Sequence, residues 1–163
     1  MQKENIEIEE MKSEVEYFHC GDQLLRVLNC EIQKVMAIVD SIAWSNSFKY
    51  FKNGMIYEHQ SGYNKAFAEN FINRGRETQP ILRSDPKLIG DFRKKLVFVE
   101  IQFGNSSALY RDYYKFQYGL ANGLLSLAVL IVPSNPSSFF PNRARSVQTG
   151  LSEFEVEGSS NIL

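Results

Sequence analysis

The chain has 163 residues, 44 % hydrophobic and 23 % charged, with 18 Lys and Arg against 19 Asp and Glu for a formal net charge of −1. These are ordinary values for one globular domain large enough to bury a core without covalent staples. The near-zero charge means that the field of the whole molecule does not demand a nucleic acid, although local clusters can still bind one.

Only Cys20 and Cys30 are present, with no CxxC or His/Cys cluster, so neither a zinc site nor a disulfide is expected. The acidic start "MQKENIEIEEMKSEVE" does not read as a signal peptide, and the longest apolar run, "LLSLAVLIV" at 124–132, is too short to span a bilayer. The expectation is a soluble cytoplasmic protein with no membrane partner.

Residues 1–18 are charge-rich, a peripheral segment that frays or adds a strand. From Gly21, apolar residues Leu24, Leu25, Leu28, Ile32, Val35, Met36, Val39 and Ile42 recur at helical spacing, with Glu31 and Lys34 off that stripe. Residues 45–60 contain the turn pair Asn53-Gly54 between aromatic segments, which predicts a β-hairpin. A short helix follows, with Ser61 as N-cap, Tyr63, Phe67 and Phe71 as its aromatic face, and Gly75 as its stop. Glu77 to Gly90, with Pro80 and Pro86, reads as loop with at most one turn.

Two strands come next, a short one at Asp91-Phe92 and a longer one from Leu96 to Phe103, joined by a basic turn of Arg93, Lys94 and Lys95. After Gly104 the stretch "NSSALYRDYYKFQYGLANG" predicts a helix capped by Ser106 or Ser107, with Leu109, Tyr113 or Tyr114, Phe116 and Leu120 buried. "LLSLAVLIV" is then a buried strand, and strand–helix–strand implies a right-handed parallel crossover. From Ser134 onward the chain is Ser- and Pro-rich and reads as loop, so residues 1–163 form a single domain.

One feature of the longer strand points to chemistry. Alternate residues of a strand share a face, so Glu100 and Gln102 project together while Val97, Val99, Ile101 and Phe103 point into a core. A carboxylate and an amide on an apolar strand are unfavourable unless they reach solvent or a ligand. Asp91, on the adjoining strand, can fold back beside them. Two such carboxylates suit a hard divalent cation, with the carbonyl of Ile101 as a further oxygen ligand. An acidic residue near a strand end is, taken singly, most often a solvated edge residue.

The run "VFVEIQFG", followed by an aromatic helix and "LAVLIVPS", resembles the PD-(D/E)xK nucleases in the variant where Gln replaces the usual Lys, that of the BglII and BstYI restriction endonucleases. "IYEHQSGYNKAF", "SDPKLIGDF" and the "EIQ" at 31–33 are similar to the same branch, over about residues 20–135. The resemblance implies an α/β fold with a mixed central sheet flanked by helices. It implies that Asp91 and Glu100 bind Mg²⁺ and that Gln102 takes the lysine position; Asp85 competes for the aspartate role but lacks the spacing to Glu100. The segment between "DPKLI" and "DF" is shorter than in the relatives, and Asn105 stands where one of them has a lysine.

On that reading the protein hydrolyses phosphodiester bonds of double-stranded DNA as a Mg²⁺-dependent type II restriction endonuclease. An amide cannot titrate, so Gln102 orients the attacking water. Glu31 is a candidate for completing the metal site, with a surface glutamate as the plainer reading. Arg93, Lys94 and Lys95 are candidates for phosphate contacts, or form a solvated turn. Asn105, Ser106 and Ser107 can read bases or simply cap the helix. The aromatic positions of that helix fit a core or a dimer interface. Three readings stand: a homodimer cutting a palindrome, a small catalytic subunit working with a larger recognition subunit, and a non-catalytic DNA-binding protein on the same fold.

Overall fold

The apolar stripe after Gly21 folds into helix α1, Gly21–Asp40, with Asp22 in its first turn, where a negative charge meets unbonded backbone N–H groups. Ile32, Val35 and Ile38 are buried, whereas Val27 is exposed, so the C-terminal half carries the anchored face. Leu28, at φ −106° and ψ 15°, leaves helical geometry and kinks the helix between the halves. Glu31 does not lie off the stripe as expected; it is buried on the same side as Ile32 and Val35.

The computed structural model describes residues 13–19, 21–43, 48–52, 55–58, 60–103 and 106–133. Expectations for 1–12 and 134–163, and for Asn53, Gly54 and Asn105, lie outside these residues. Residues 13–18 form no strand. Strands β1 (Lys49–Lys52) and β2 (Met55–Glu58) pair antiparallel from Lys49↔Glu58 to Lys52↔Met55, the hairpin that the Asn-Gly pair predicts.

Helix α2 runs Gln60–Asn73, so Ser61 lies inside it rather than capping it. Tyr63, Phe67 and Phe71, spaced one turn apart, are all buried. The helix stops at Gly75, whose φ of 70° favours glycine. There Gly75 N–H donates to Ile72 O (2.8 Å) and Arg76 N–H to Phe71 O (3.1 Å), the paired bonds of a Schellman stop.

The stretch 77–90 is not loop throughout. It holds β3 (Glu77–Thr78), β4 (Ile81–Arg83) and β5 (Leu88–Ile89), the last two paired antiparallel. Strands of two or three residues are too short to leave a readable alternation.

Strands β6 (Phe92–Lys94), β7 (Val97–Ile101) and β8 (Leu127–Ile131) complete a four-stranded sheet of order β3-β6-β7-β8. The β3–β6 and β6–β7 pairs are antiparallel and β7–β8 is parallel, across helix α3 (Ser106–Ala121), as the strand–helix–strand order implies. Arg93 and Lys94 prove to be strand residues. The turn is Lys95-Leu96, with Lys95 at φ 53°. β8 is half-buried at the edge of the described sheet, not a fully buried strand.

Both faces of the sheet are covered. On one, Phe92, Val99, Ile101 and Phe103 pack with Val35 and Ile38 of α1 and Tyr63, Phe67 and Phe71 of α2. Tyr63 stacks on Phe103 (centroids 5.3 Å, interplanar 8°) and Phe71 on Phe92 (4.6 Å, 19°). On the other, Phe98 meets the edge of Phe116 from α3 (6.0 Å, 85°), with Leu82, Leu88 and Leu125 around them. The face carrying Glu100 and Gln102 is therefore a second core under α3, which corrects the expectation that only the Val97, Val99, Ile101 and Phe103 face is core.

On α3, Leu109 and Phe116 are buried as expected, but the arc is turned away from Leu120. Tyr114 and Leu120 are 50 % and 49 % exposed, and the side against the sheet is Leu109, Asp112, Lys115 and Phe116. Gly119 faces the sheet as well; a Cβ there would come within 2.2 Å of Leu125 Cδ2, so the glycine lets helix and chain return close together.

Candidate active site

The β6–β7 hairpin brings the motif residues together. Its last pair is Phe92↔Val99; one step further, Asp91 stands opposite Glu100. Two backbone-to-side-chain bonds lock that approach. The Asp91 N–H donates to Glu100 Oε1 (3.2 Å), and the Ile101 N–H donates to Asp91 Oδ2 (2.8 Å). Each carboxylate is thus held by the backbone of the other's strand. Gly90 makes room for this, because a Cβ on it would lie 1.9 Å from Phe98 Cζ and 2.9 Å from Glu100 Oε1.

Helix α3 closes the site from above with two residues that the strand pattern does not reveal. Lys115 Nζ donates to Glu100 Oε2 and to Asp112 Oδ1, both at 2.8 Å. Gln102 Nε2 donates to Asp112 Oδ2 at 2.9 Å. Asp112 and Lys115, three apart on α3, share a helix face. Glu100 is 1 % exposed and Gln102, Asp112 and Lys115 are similarly buried, so their polar atoms depend on one another for the bonds that water would otherwise make.

The electrostatics follow from three carboxylates facing one ammonium. Burial, then the negative charge of Asp91, pushes Glu100 up to about 8, against the opposing pull of Lys115. Burial also raises Asp91, countered in part by the Ile101 N–H. Burial draws Lys115 down, but its hydrogen bonds to Asp112 and Glu100 outweigh that and hold it above the ordinary lysine range.

Such a set fits a hard divalent cation. Among the described residues no three His, Cys, Asp or Glu side chains converge on one ion. Asp91 and Glu100 could supply two oxygen ligands, whose mutual repulsion a cation would relieve, with carbonyl and water oxygens as the rest.

A family profile described as Restriction endonuclease BglII/BglIII matches residues 13–157, most of the chain. The chain belongs to the BglII/BglIII restriction endonuclease family. No curated protein matches it. The mixed sheet flanked by three helices is consistent with a restriction-endonuclease-like fold. As a BglII/BglIII-family protein it is a nuclease of a class that acts on DNA and generally uses divalent metal ions. No helix among the described residues is long and apolar enough to cross a membrane.

Other residues singled out in this BglII/BglIII-family chain lie elsewhere. Asp85 is exposed in the β4–β5 turn, where its carbonyl accepts from Arg83 Nε at 2.7 Å. Glu31 is buried, not at the surface, and its Oε1 meets Lys95 Nζ (3.4 Å) and Lys34 Nζ (3.5 Å). Burial raises Glu31, but these lysines prevail and lower it below its ordinary value. It lines a pocket with Lys95 and Leu96 of the β6–β7 turn and Val97, the first residue of β7. Glu100 is three residues on, about 10 Å along a strand.

Each turn-side cation has a partner in its own chain. Arg93 pairs with Glu77 (2.8 Å), Lys94 Nζ donates to Arg74 O (3.0 Å), and Lys95 meets Glu31. Ser106 and Ser107 open α3 just beyond the site strand.

Asp112 and Lys115 were missed because Asp-x-x-Lys on a helix reads as a surface ion pair. The available signal was spacing. Leu109, Asp112, Phe116 and Gly119 recur at three and four, and on that arc a charged pair is a buried pair.

Proposed function

We propose that the protein is a cytoplasmic Mg²⁺-dependent type II restriction endonuclease, a homodimer hydrolysing phosphodiester bonds at a specific double-stranded DNA sequence. The observation that carries this reading is the locked pair of Asp91 and Glu100, with Gln102 on the same strand face. Asp91, Glu100 and the carbonyl of Ile101 are assigned to Mg²⁺, which when bound acidifies a water and offsets charge on the phosphate.

Gln102 cannot take a proton, so its role is to orient the attacking water. Asp112 supports that role by holding the amide N–H₂ end and so fixing which way the group points. The water's proton leaves to solvent or to a phosphate oxygen. Glu31 is left out of the metal site, since its Oε1 meets Lys34 and Lys95 and it lies by the start of β7 rather than beside Glu100.

Phosphate contacts fall to Arg93, Lys94 and Lys95. The Lys95 side chain, 75 % exposed, is the one best placed to exchange its own partner for DNA. Asn105, Ser106 and Ser107, directly after the site strand, are assigned to DNA contact in the groove.

The test is plasmid cleavage by the purified chain with Mg²⁺. Discrete double-strand fragments are expected, and E100A should bind DNA without cutting it. Cleavage by E100A would remove Glu100 from the site. Nicking, or silence until a larger recognition subunit is added, would replace the homodimer by a catalytic subunit. Silence with every partner and metal would leave a non-catalytic DNA-binding protein.

A further inference from the structure

Lys115 has no part in the roles assigned above, yet it is the ammonium that touches Glu100. It is buried, at 5 % exposure, and divides its donors between Glu100 and Asp112 at equal distance. The two anchors are not equivalent. Asp112 is on the same helix three residues away and also accepts from Gln102, so it belongs to a fixed frame. Glu100 is on the strand, and its other oxygen accepts the Asp91 N–H. Lysine carries a compact charge on a flexible stem with three rotatable donors, so one contact can be released while the other is kept.

We propose that Lys115 is a displaceable counter-ion of the metal site. Its ammonium occupies Glu100 Oε2 in the metal-free protein. When a divalent cation binds Asp91 and Glu100, the ammonium gives up Glu100, keeps Asp112, and by that exchange sets the metal affinity. Lys115 is thus a positioning residue, and the inference rests on the metal-binding reading of Asp91 and Glu100. The physical reason is that a unit positive charge beside a divalent ion opposes its binding by on the order of tenfold even with water-like screening, and by more in a buried site. A lysine that merely braced the fold would act in the opposite direction, because its loss would disorder Glu100 and weaken the metal.

The experiment is calorimetric titration of Mn²⁺ into the full chain without DNA, for the parent, K115M, K115Q, K115R and E100Q, with thermal unfolding in parallel. K115M is expected to bind Mn²⁺ about tenfold tighter or more, to melt lower than the parent without metal, and to recover most of that loss with it. K115R, which keeps the charge, should stay near parental affinity. K115Q repeats the test with a side chain that still hydrogen-bonds Glu100. Unchanged or weaker binding in both neutral variants overturns the inference. So does their failure to fold at saturating Mn²⁺, since a displaceable charge must be dispensable once the metal is there. Binding that E100Q abolishes but K115M leaves unaltered overturns this inference alone. No Mn²⁺ binding by the parent overturns the metal reading and this inference with it.

Discussion

Raising the pH of the metal-free protein from 6 to 8.5 should destabilise it, with Glu100 as the main cause. Its carboxyl is pushed up to about 8 by burial and by Asp91, from an ordinary 4.5. The folded protein therefore holds a proton at pH 6 that the unfolded chain has released. A raised folded pKa contributes stability that is complete below the unfolded value and disappears as pH climbs through the folded one. At roughly 1.4 kcal/mol per pH unit for one proton, the loss between pH 6 and 8.5 is about 2 to 3 kcal/mol. The assay is guanidinium unfolding in EDTA at several pH values, for the parent and for E100Q, whose amide cannot titrate. E100Q should show a flatter pH profile by about that amount. A parent profile that parallels E100Q, or one that rises with pH, would refute the argument that burial and the Asp91 charge keep a proton on Glu100.

Two further outcomes follow from the packing. G90A should lose on the order of 1–3 kcal/mol of stability, because its Cβ would meet the Phe98 ring and Glu100 Oε1 and force both to move; chemical denaturation reads this, and parental stability would show that the hairpin yields there. E31Q should keep Mn²⁺ affinity within about twofold, since the Glu31 carboxylate faces Lys34 and Lys95 and a screened charge that far off has little leverage; a tenfold loss by titration would put Glu31 back in the metal site.

Some of this protein was legible from local rules. The aromatic face of α2 was visible because Tyr63, Phe67 and Phe71 repeat once per turn, and the β1–β2 pairing because Asn-Gly favours a two-residue turn. The strands at 77–90 were not, since β3, β4 and β5 are each too short for alternation to show, and β3 is held by β6 across the intervening β4–β5 hairpin. The arc of α3 was misread for another reason. Tyr110, Tyr113, Tyr114, Phe116 and Tyr118 spread aromatic residues over about half the helix circumference, too wide an arc for composition alone to fix which part faces the sheet.

By itself the sequence brought Asp91 within one tight turn of Glu100, and the two-residue period of the strand added Gln102 to that face. That the turn is Lys95-Leu96 rather than Arg93 to Lys95, which sets Asp91 directly opposite Glu100, came from the structure. Only the tertiary structure decided what that face meets. Packing of Phe98 on Phe116, and of Gly119 against Leu125, rotates α3 so that Lys115 and Asp112 enter the sheet side. Strand periodicity is a property of a few consecutive residues, whereas the rotation of a helix over a sheet is set by shape complementarity between segments far apart in the chain.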